Sequence, residues 1–402
     1  APSFTTVVPT AAVPKPVDIP AFFAGLYERS SAVPRALAAL PLPMWLLSSY
    51  TAVPLSAAAA AALCPNKALA ARGLAAVLGC LLGSAAGAFL EGAKRGAARG
   101  ALLRLLAEHL KAATPVEELC RLVAAQRKRF GVAPDRPAGP AFEESHMGEM
   151  YRELLSALLD GPENDPGDLP AVRRLKTALD LDAIVVGDAH RRASQLLVSK
   201  GHSGLDEESL RRSTDKLLFL SGRVFSDEEC EEAAIWEMNR VRDVLQISKE
   251  DARKRISDVS RSLYRQDLGT VVSRVDASTA EALAGASAAF GLTSQETSKM
   301  NADTYRQIAS NLLEGGELPA QGAATLASAK GVLQLSDSAA EAAFVSVAAP
   351  LLQKDVEQVS QKLLTGAPSD AVAPSSELLA RRAGQLGLPG AAACAATAEA
   401  FG

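Results

Sequence analysis

The stretch RGLAAVLGCLLGSAAGAFLEG, from Arg72 to Gly92, decides how this chain is read. Between Gly73 and Leu90 it carries no charged residue. A helix needs about 20 mostly apolar residues, within a range of about 17–25, to cross a hydrocarbon core. Leu74, Val77, Leu78, Leu81, Leu82, Phe89 and Leu90 supply the apolar surface. Gly79, Gly83 and Gly87 recur every four residues and so share one helix face. Small residues at that spacing let two helix backbones touch, which is how helices associate where water no longer drives them together. These three glycines are the expected sites of helix packing in a membrane.

A second uncharged run precedes it. PMWLLSSYTAVPLSAAAAAALC, Pro43–Cys64, is long enough to span but weaker, because alanine is nearly neutral towards lipid and Pro54 interrupts the run. Trp45 and Tyr50 suit an interfacial belt at its start. Joined by the short loop PNKALAAR, the two runs make an expected membrane hairpin over residues 41–91, with both ends on one side. Lys94, Arg95, Arg99 and Arg104 suit the face that holds the bulk of the chain. The competing arrangement is a pair of Ala-rich helices buried in a bundle.

The remainder of the 402 residues is rich in Ala and Leu and poor in aromatic and β-branched residues, which favours helix over strand throughout. The expected fold is all-α. Residues 1–40 form a Pro-rich, extended segment, whose APSFTTVVPTAAVPKPVDIP start resembles the end left when a targeting peptide is removed. Residues 92–160 form a helical connector and 161–170 a linker, because GPENDPGDLP is rich in Pro, Gly and acid. In the connector, Thr114 with Pro115 and Glu117 spells a helix start.

Residues 171–402 carry a recurring phrase. It reads ALDLD at Ala178–Asp182, VLQIS at Val244–Ser248, AFGLT at Ala289–Thr293 and VLQLS at Val332–Ser336, with a degenerate QLGLP at Gln385–Pro389. Each copy ends one amphipathic run and supplies the cap of the next, so Asp182, Ser248, Thr293 and Ser336 are expected helix caps. Spacings of about 45 and about 43 residues between the clear later copies match a two-helix repeat. Stacked helical pairs, in the manner of an α-solenoid, bury a continuous core and offer long surfaces to partners. Ala252, Ile256, Val259 and Leu263 are one expected core face, and Tyr305, Ile308, Leu312 and Leu313 a second. Phe344, Val347 and Leu351 are a third, in a helix that Pro350 should kink or split. Ser226 and Glu229 spell a further capping box.

No catalytic constellation emerges. GAFLEGAK, Gly87–Lys94, misplaces the lysine of a phosphate-binding loop and lacks the following Ser/Thr. GHSG, Gly201–Gly204, lacks the spacing of a nucleophile elbow. The four histidines, His109, His146, His190 and His202, share no ligand spacing and read as surface or helix-end residues. The five scattered cysteines form neither a zinc pattern nor a disulfide framework, and carboxylates around Cys120 and Cys230 should make both poor redox sensors. No metal and no cofactor are expected, and a net charge of −4 argues against nucleic-acid partners.

In this order, RFGV (Arg129–Val132), the helix from Phe142 through MYRELLSALL to Leu159, LKTALDLD with AHRRASQLL, KLLFLSGRVF (Lys216–Phe225) and SRSLYRQDL (Ser260–Leu268) resemble phrases of one family. It is the large scaffold subunit of the chloroplast inner-envelope import translocon (Tic). The similarity covers most of Gly73–Leu268; beyond it only the repeat phrase persists. It implies a plastid membrane, the inner envelope, with anchorage through the Gly- and Ala-rich segments. It also implies a scaffold that docks preproteins and chaperones, and the missing catalytic motifs lead to the expectation that the chain is not an enzyme. Members of that family carry many more repeats. A second role therefore stays open: an accessory subunit of another plastid membrane assembly, such as a photosystem–antenna complex in the thylakoid, whose partners would be other membrane proteins and lipid.

Overall fold

The computed structural model describes residues 17–30, 32–39, 49–65, 68–110, 114–130, 144–161, 164–202, 206–225, 231–273, 277–315, 317–364 and 373–401. Outside them lie the first 16 residues, Trp45, the phrase after Phe130, Phe142, the Ser226–Glu229 box and Cys230.

Every described element is a helix. The first five are α1 (Ile19–Glu28), α2 (Ala32–Ala39), α3 (Ser49–Leu63), α4 (Leu69–His109) and α5 (Val116–Arg129). Next come α6 (Glu144–Asp160), α7 (Asp168–Leu179), α8 (Ala183–His202), α9 (Glu207–Arg223), α10 (Glu231–Leu245) and α11 (Lys249–Ser273). The last six are α12 (Ala277–Ala289), α13 (Ser294–Leu313), α14 (Gly322–Val332), α15 (Asp337–Leu364), α16 (Ala373–Gln385) and α17 (Gly390–Phe401). Two compact units divide the chain between Ile256 and Ser257, inside α11.

In the first unit, α4 is the axis. Its 41 residues span about 60 Å. The charge-free run stops at Leu90, yet Ala, Arg, Lys and Leu continue with good helix propensity and no proline, so the helix runs on to His109. α1, α2 and α3 all pack along it. Its second half is core: Ala97, Ala98, Leu102 and Leu106 are fully buried. α5 through α10 form the rest of the unit's interior, around Leu119, Tyr151, Leu154, Leu175, Val186, Leu217 and Phe219.

Five junctions share one geometry. The described residues with positive φ are Asp180 (54°), Gln246 (56°), Gly291 (62°), Gln334 (51°) and Gly387 (69°), each the third residue of a copy of the recurring phrase. In every copy the next residue's N–H reaches back five residues, as in Leu181 to the Lys176 carbonyl and Leu335 to the Lys330 carbonyl, both 3.1 Å. Ile247, Leu292 and Leu388 do the same with Arg242, Ser287 and Ala383. That 6→1 bond, with a left-handed residue before it, is a Schellman motif, and the apolar residue that follows packs back on the helix it ends. Each junction joins a short helix to the next: 12 to 20 residues at α7–α8, 15 to 25 at α10–α11 and 13 to 20 at α12–α13. The same order holds for 11 to 28 at α14–α15, and α16 meets α17 at nearly equal length.

In the second unit, buried side chains hold two of these elbows. Ser260 Oγ donates to the Phe290 carbonyl at 2.9 Å. Asn301 Nδ2 donates to the Leu333 carbonyl at 2.9 Å while Asn301 Oδ1 accepts from the Tyr264 hydroxyl at 2.9 Å. A carbonyl at a helix end lacks an intrahelical donor, and these bonds satisfy it inside the protein.

The structure corrects several expectations. Within the segment 1–40, expected to be extended, Ile19–Glu28 and Ala32–Ala39 are helices, because their apolar residues, Phe23 among them, find a partner in α4. α5 begins at Val116 with Pro115, not Thr114, in the cap position, because Pro115 keeps an extended backbone; no side chain caps this helix. Pro350 does not split α15, which runs from Asp337 to Leu364 through it; the proline is exposed, and buried Ala348 and Leu352 flank it. The core face of α15 is Ala340, Phe344, Ala348, Leu352 and Val356, rotated from the expected Val347 and Leu351. The last residues of the acidic linker phrase, Asp168–Pro170, open α7, and Asp168 lies inside the unit. His190 is fully buried, not a surface or helix-end residue.

Candidate membrane-contacting site

The first half of α4 is an apolar surface with little of the protein over it. Leu69, Leu74, Val77, Leu78, Leu81, Leu82 and Phe89 are between 53% and 92% exposed. From Leu69 to Phe89 the helix rises about 30 Å, which is the thickness of a hydrocarbon core. Its most apolar window has a mean hydropathy of 2.0. Among the described residues, α4 is the one helix long and apolar enough to cross a membrane. The expected partner run, Pro43–Cys64, contributes the 15-residue α3, about 22 Å long and apolar over Val53–Leu63, which falls short of a crossing. Two hydroxyls in these segments bond back to their own helix: Ser84 Oγ donates to the Cys80 carbonyl at 2.8 Å, and Ser56 Oγ to the Val53 carbonyl at 3.4 Å. Bonding back to the helix keeps a hydroxyl from standing unpaired in an apolar medium.

The glycines occupy the opposite face. Gly79, Gly83 and Gly87 are all buried. A methyl group at Gly79 would lie 2.6 Å from the Ser56 carbonyl oxygen, 2.8 Å from Ala60 Cβ and 2.9 Å from Ala57 Cα. Nothing larger than hydrogen fits there, because the backbones of α3 and α4 touch. Further along, a methyl group at Gly96 would meet the Pro34 ring at 2.8 Å, so α2 also seats on a glycine. That second seat has no signature in the sequence, since Pro34 and Gly96 lie far apart in the chain.

The other singled-out residues form the elbows. Asp182 Oδ1 accepts from the Val185 N–H at 2.8 Å, and Ser248 Oγ from the Asp251 N–H at 3.1 Å. Ser336 Oγ accepts from the Ala339 N–H at 3.2 Å. Thr293 and Glu296 make a reciprocal capping box. Arg261 pairs with Glu296 at 2.6 Å, and its bonds with those from Thr293 hold the Glu296 carboxyl down to about 2. Asp182 and Ser248 cap helices that begin in the first unit, and Thr293 and Ser336 cap helices of the second.

The buried polar groups of the first unit make a different kind of arrangement. Lys216 Nζ meets Asp168 Oδ2 at 2.5 Å with both side chains buried, and burial raises the Asp168 carboxyl despite that lysine. The Tyr151 hydroxyl lies 2.8 Å from His190 Nε2, while His190 Nδ1 has no hydrogen-bond partner. Burial alone lowers the His190 imidazole to about 3, so it is neutral. The buried Glu237 carboxyl, raised by burial, packs directly on Gly187 and pairs with Arg240 at 3.1 Å. Burial, then Glu117 and Asp180, raise the Cys120 thiol, the opposite of what a reactive cysteine needs. Among the described residues no three His, Cys, Asp or Glu side chains are placed to hold a metal. These groups tie α6 through α10 together. No family model, no curated protein and no solved structure matches this chain, so its own residues carry the functional reading.

Proposed function

We propose that this chain is a membrane-anchored helical scaffold of the plastid. It holds on through α4 and presents its elbow-linked helix pairs, stacked in the manner of an α-solenoid, to partner proteins. The observation that carries this reading is the uncharged, outward-facing Leu, Val and Phe surface of α4, about as long as a hydrocarbon core is thick. A contiguous apolar patch of that size on a water-facing surface is a liability, whereas in lipid it is the ordinary state. The second support is the sealing of Gly79 against α3, which packs a helix where hydrophobic burial offers no drive. The anchor then forms a hairpin of α4 with the segment around α3. The plastid location and the role in preprotein import rest on the colinear phrases between Gly73 and Leu268.

The test is extraction and native purification. Alkaline carbonate and high salt should leave the chain in the membrane pellet, and mild detergent should release it with import components and transiting precursors. Co-migration with chlorophyll proteins instead would move the scaffold to a photosystem–antenna assembly. Quantitative release by carbonate would overturn the anchored reading.

A further inference from the structure

α2, AVPRALAA, carries one charged residue, Arg35, and no other charge follows it in the chain until Lys67. A methyl group at Gly96 would meet the Pro34 ring at 2.8 Å, so Arg35 stands one residue from a point where α2 and α4 touch. Arg95 stands one residue from the same point on α4. The contact therefore brings both arginines to one level along α4. Arg95 is five residues beyond Leu90, a rise of about 7.5 Å. The headgroup layer outside a hydrocarbon core is about 5–8 Å deep on each side. The next arginine along α4, Arg99, is taken up by Glu153 of α6 at 2.6 Å. Among the described residues neither Arg35 nor Arg95 makes an ion pair. Arg35 is half-buried, with its Nε covered and not hydrogen-bonded, so packing holds its stem, while Arg95 is exposed. Glu91 is the one acid in the sequence from Arg72 to Arg95, too few to balance Arg35, Lys94 and Arg95 together.

We propose that Arg35 and Arg95 form a site for the phosphate of an anionic phospholipid, in the leaflet where α4 leaves the bilayer. A guanidinium offers paired N–H donors that match two phosphate oxygens, and it gives up water more readily than an ammonium does. The phosphate of a zwitterionic lipid already has a cation in its own headgroup, whereas that of an anionic phospholipid leaves its charge for the protein. Free inorganic phosphate shares this chemistry, but the level of the two arginines at the end of the uncharged stretch favours the lipid. The site rests on the anchored reading above.

The experiment is lipid retention, measured by native mass spectrometry on the full chain. The chain is reconstituted in vesicles of equimolar phosphatidylglycerol and phosphatidylcholine and released in mild detergent, and its bound lipids are counted. Wild type should retain phosphatidylglycerol in preference, and Arg35→Gln and Arg95→Gln should each lower that preference by about fivefold. Arg72→Gln, at an exposed arginine on the opposite end of the uncharged stretch, should leave it unchanged. Because Arg95 is exposed, its variant reads the site even where Arg35→Gln fails to fold. Equal preference in wild type and Arg95→Gln would overturn the site, as would an equal loss with Arg72→Gln. Excess inorganic phosphate, compared with chloride at the same ionic strength, should not displace the lipid. Displacement by phosphate alone would overturn the lipid as occupant in favour of the free anion. Flotation with phosphatidylcholine vesicles separates the two claims. A chain that does not float overturns the anchored reading, and a floating chain without lipid preference overturns the site alone.

Discussion

His190 shows what a single buried polar side chain does to this molecule. Its ring is fully buried, one nitrogen bonded to Tyr151 and the other to nothing, and it stays neutral with a pKa near 3. In the unfolded chain the same imidazole takes up a proton below about pH 6.5. Because the unfolded state then binds more protons, His190 draws down stability as pH falls from about 6.5 towards 3, by up to about 1.4 kcal/mol per pH unit. Asp168 and Glu237, whose carboxyls are raised by burial, act in the opposite sense as pH falls through their folded values. The clean readout is therefore a difference. Urea unfolding of wild type and His190→Gln at pH 7 and pH 5 should show the wild type losing more stability than the variant over that interval. Equal losses would mean that the ring is accessible to protons in the folded state. None of this was legible in the sequence, because a histidine's burial is settled by helices that meet it from elsewhere in the chain, here Tyr151 of α6. Asp168 misled for the same reason: within GPENDPGDLP it is one more acid of a loop, and only the distant Lys216 makes it a core residue.

At the scale of elements, the elbows were the most legible feature. A Schellman junction is made from five or six consecutive residues, so its chemistry leaves a local trace: an apolar residue, a left-handed residue, a second apolar residue and a cap. Two of the five copies place glycine at the left-handed position, Gly291 and Gly387, and three place Asp180, Gln246 and Gln334. A side chain in that conformation costs roughly 1–2 kcal/mol relative to right-handed helix, and glycine escapes the cost. Gln246→Gly and Gln334→Gly should therefore each raise stability by about 1 kcal/mol in denaturant unfolding. Gly291→Ala should lower it by a similar amount. A Gln→Gly change that destabilises would show that the glutamine side chain contributes contacts worth more than the strain. The ends of α4 were less legible. Hydropathy marks where charge begins, at Glu91, but helix propensity ignores that boundary, and so a single helix carries both an exposed apolar half and a buried core half. The face of α15 was misjudged by about one position, since its alanines pack as core residues, and a pattern read from large side chains alone overlooks Ala340 and Ala348.

For the whole molecule, composition announces an all-helical chain, and the described residues are helical wherever they form an element. The central claim is that α4 crosses a bilayer, and it is tested most directly by asking which of its residues water can reach from each side. In a background with the native cysteines replaced, single cysteines at Ala68, Leu82 and Arg95 bracket the uncharged stretch. In sealed vesicles carrying the full chain in one orientation, a membrane-impermeant maleimide added outside, or trapped inside, reports each position. The crossing predicts that Ala68→Cys reacts from one side only, Arg95→Cys from the other side only, and Leu82→Cys from neither until detergent is added. Reaction of all three positions from the same side would contradict it, and α4 would then be a helix lying on a surface or against another protein.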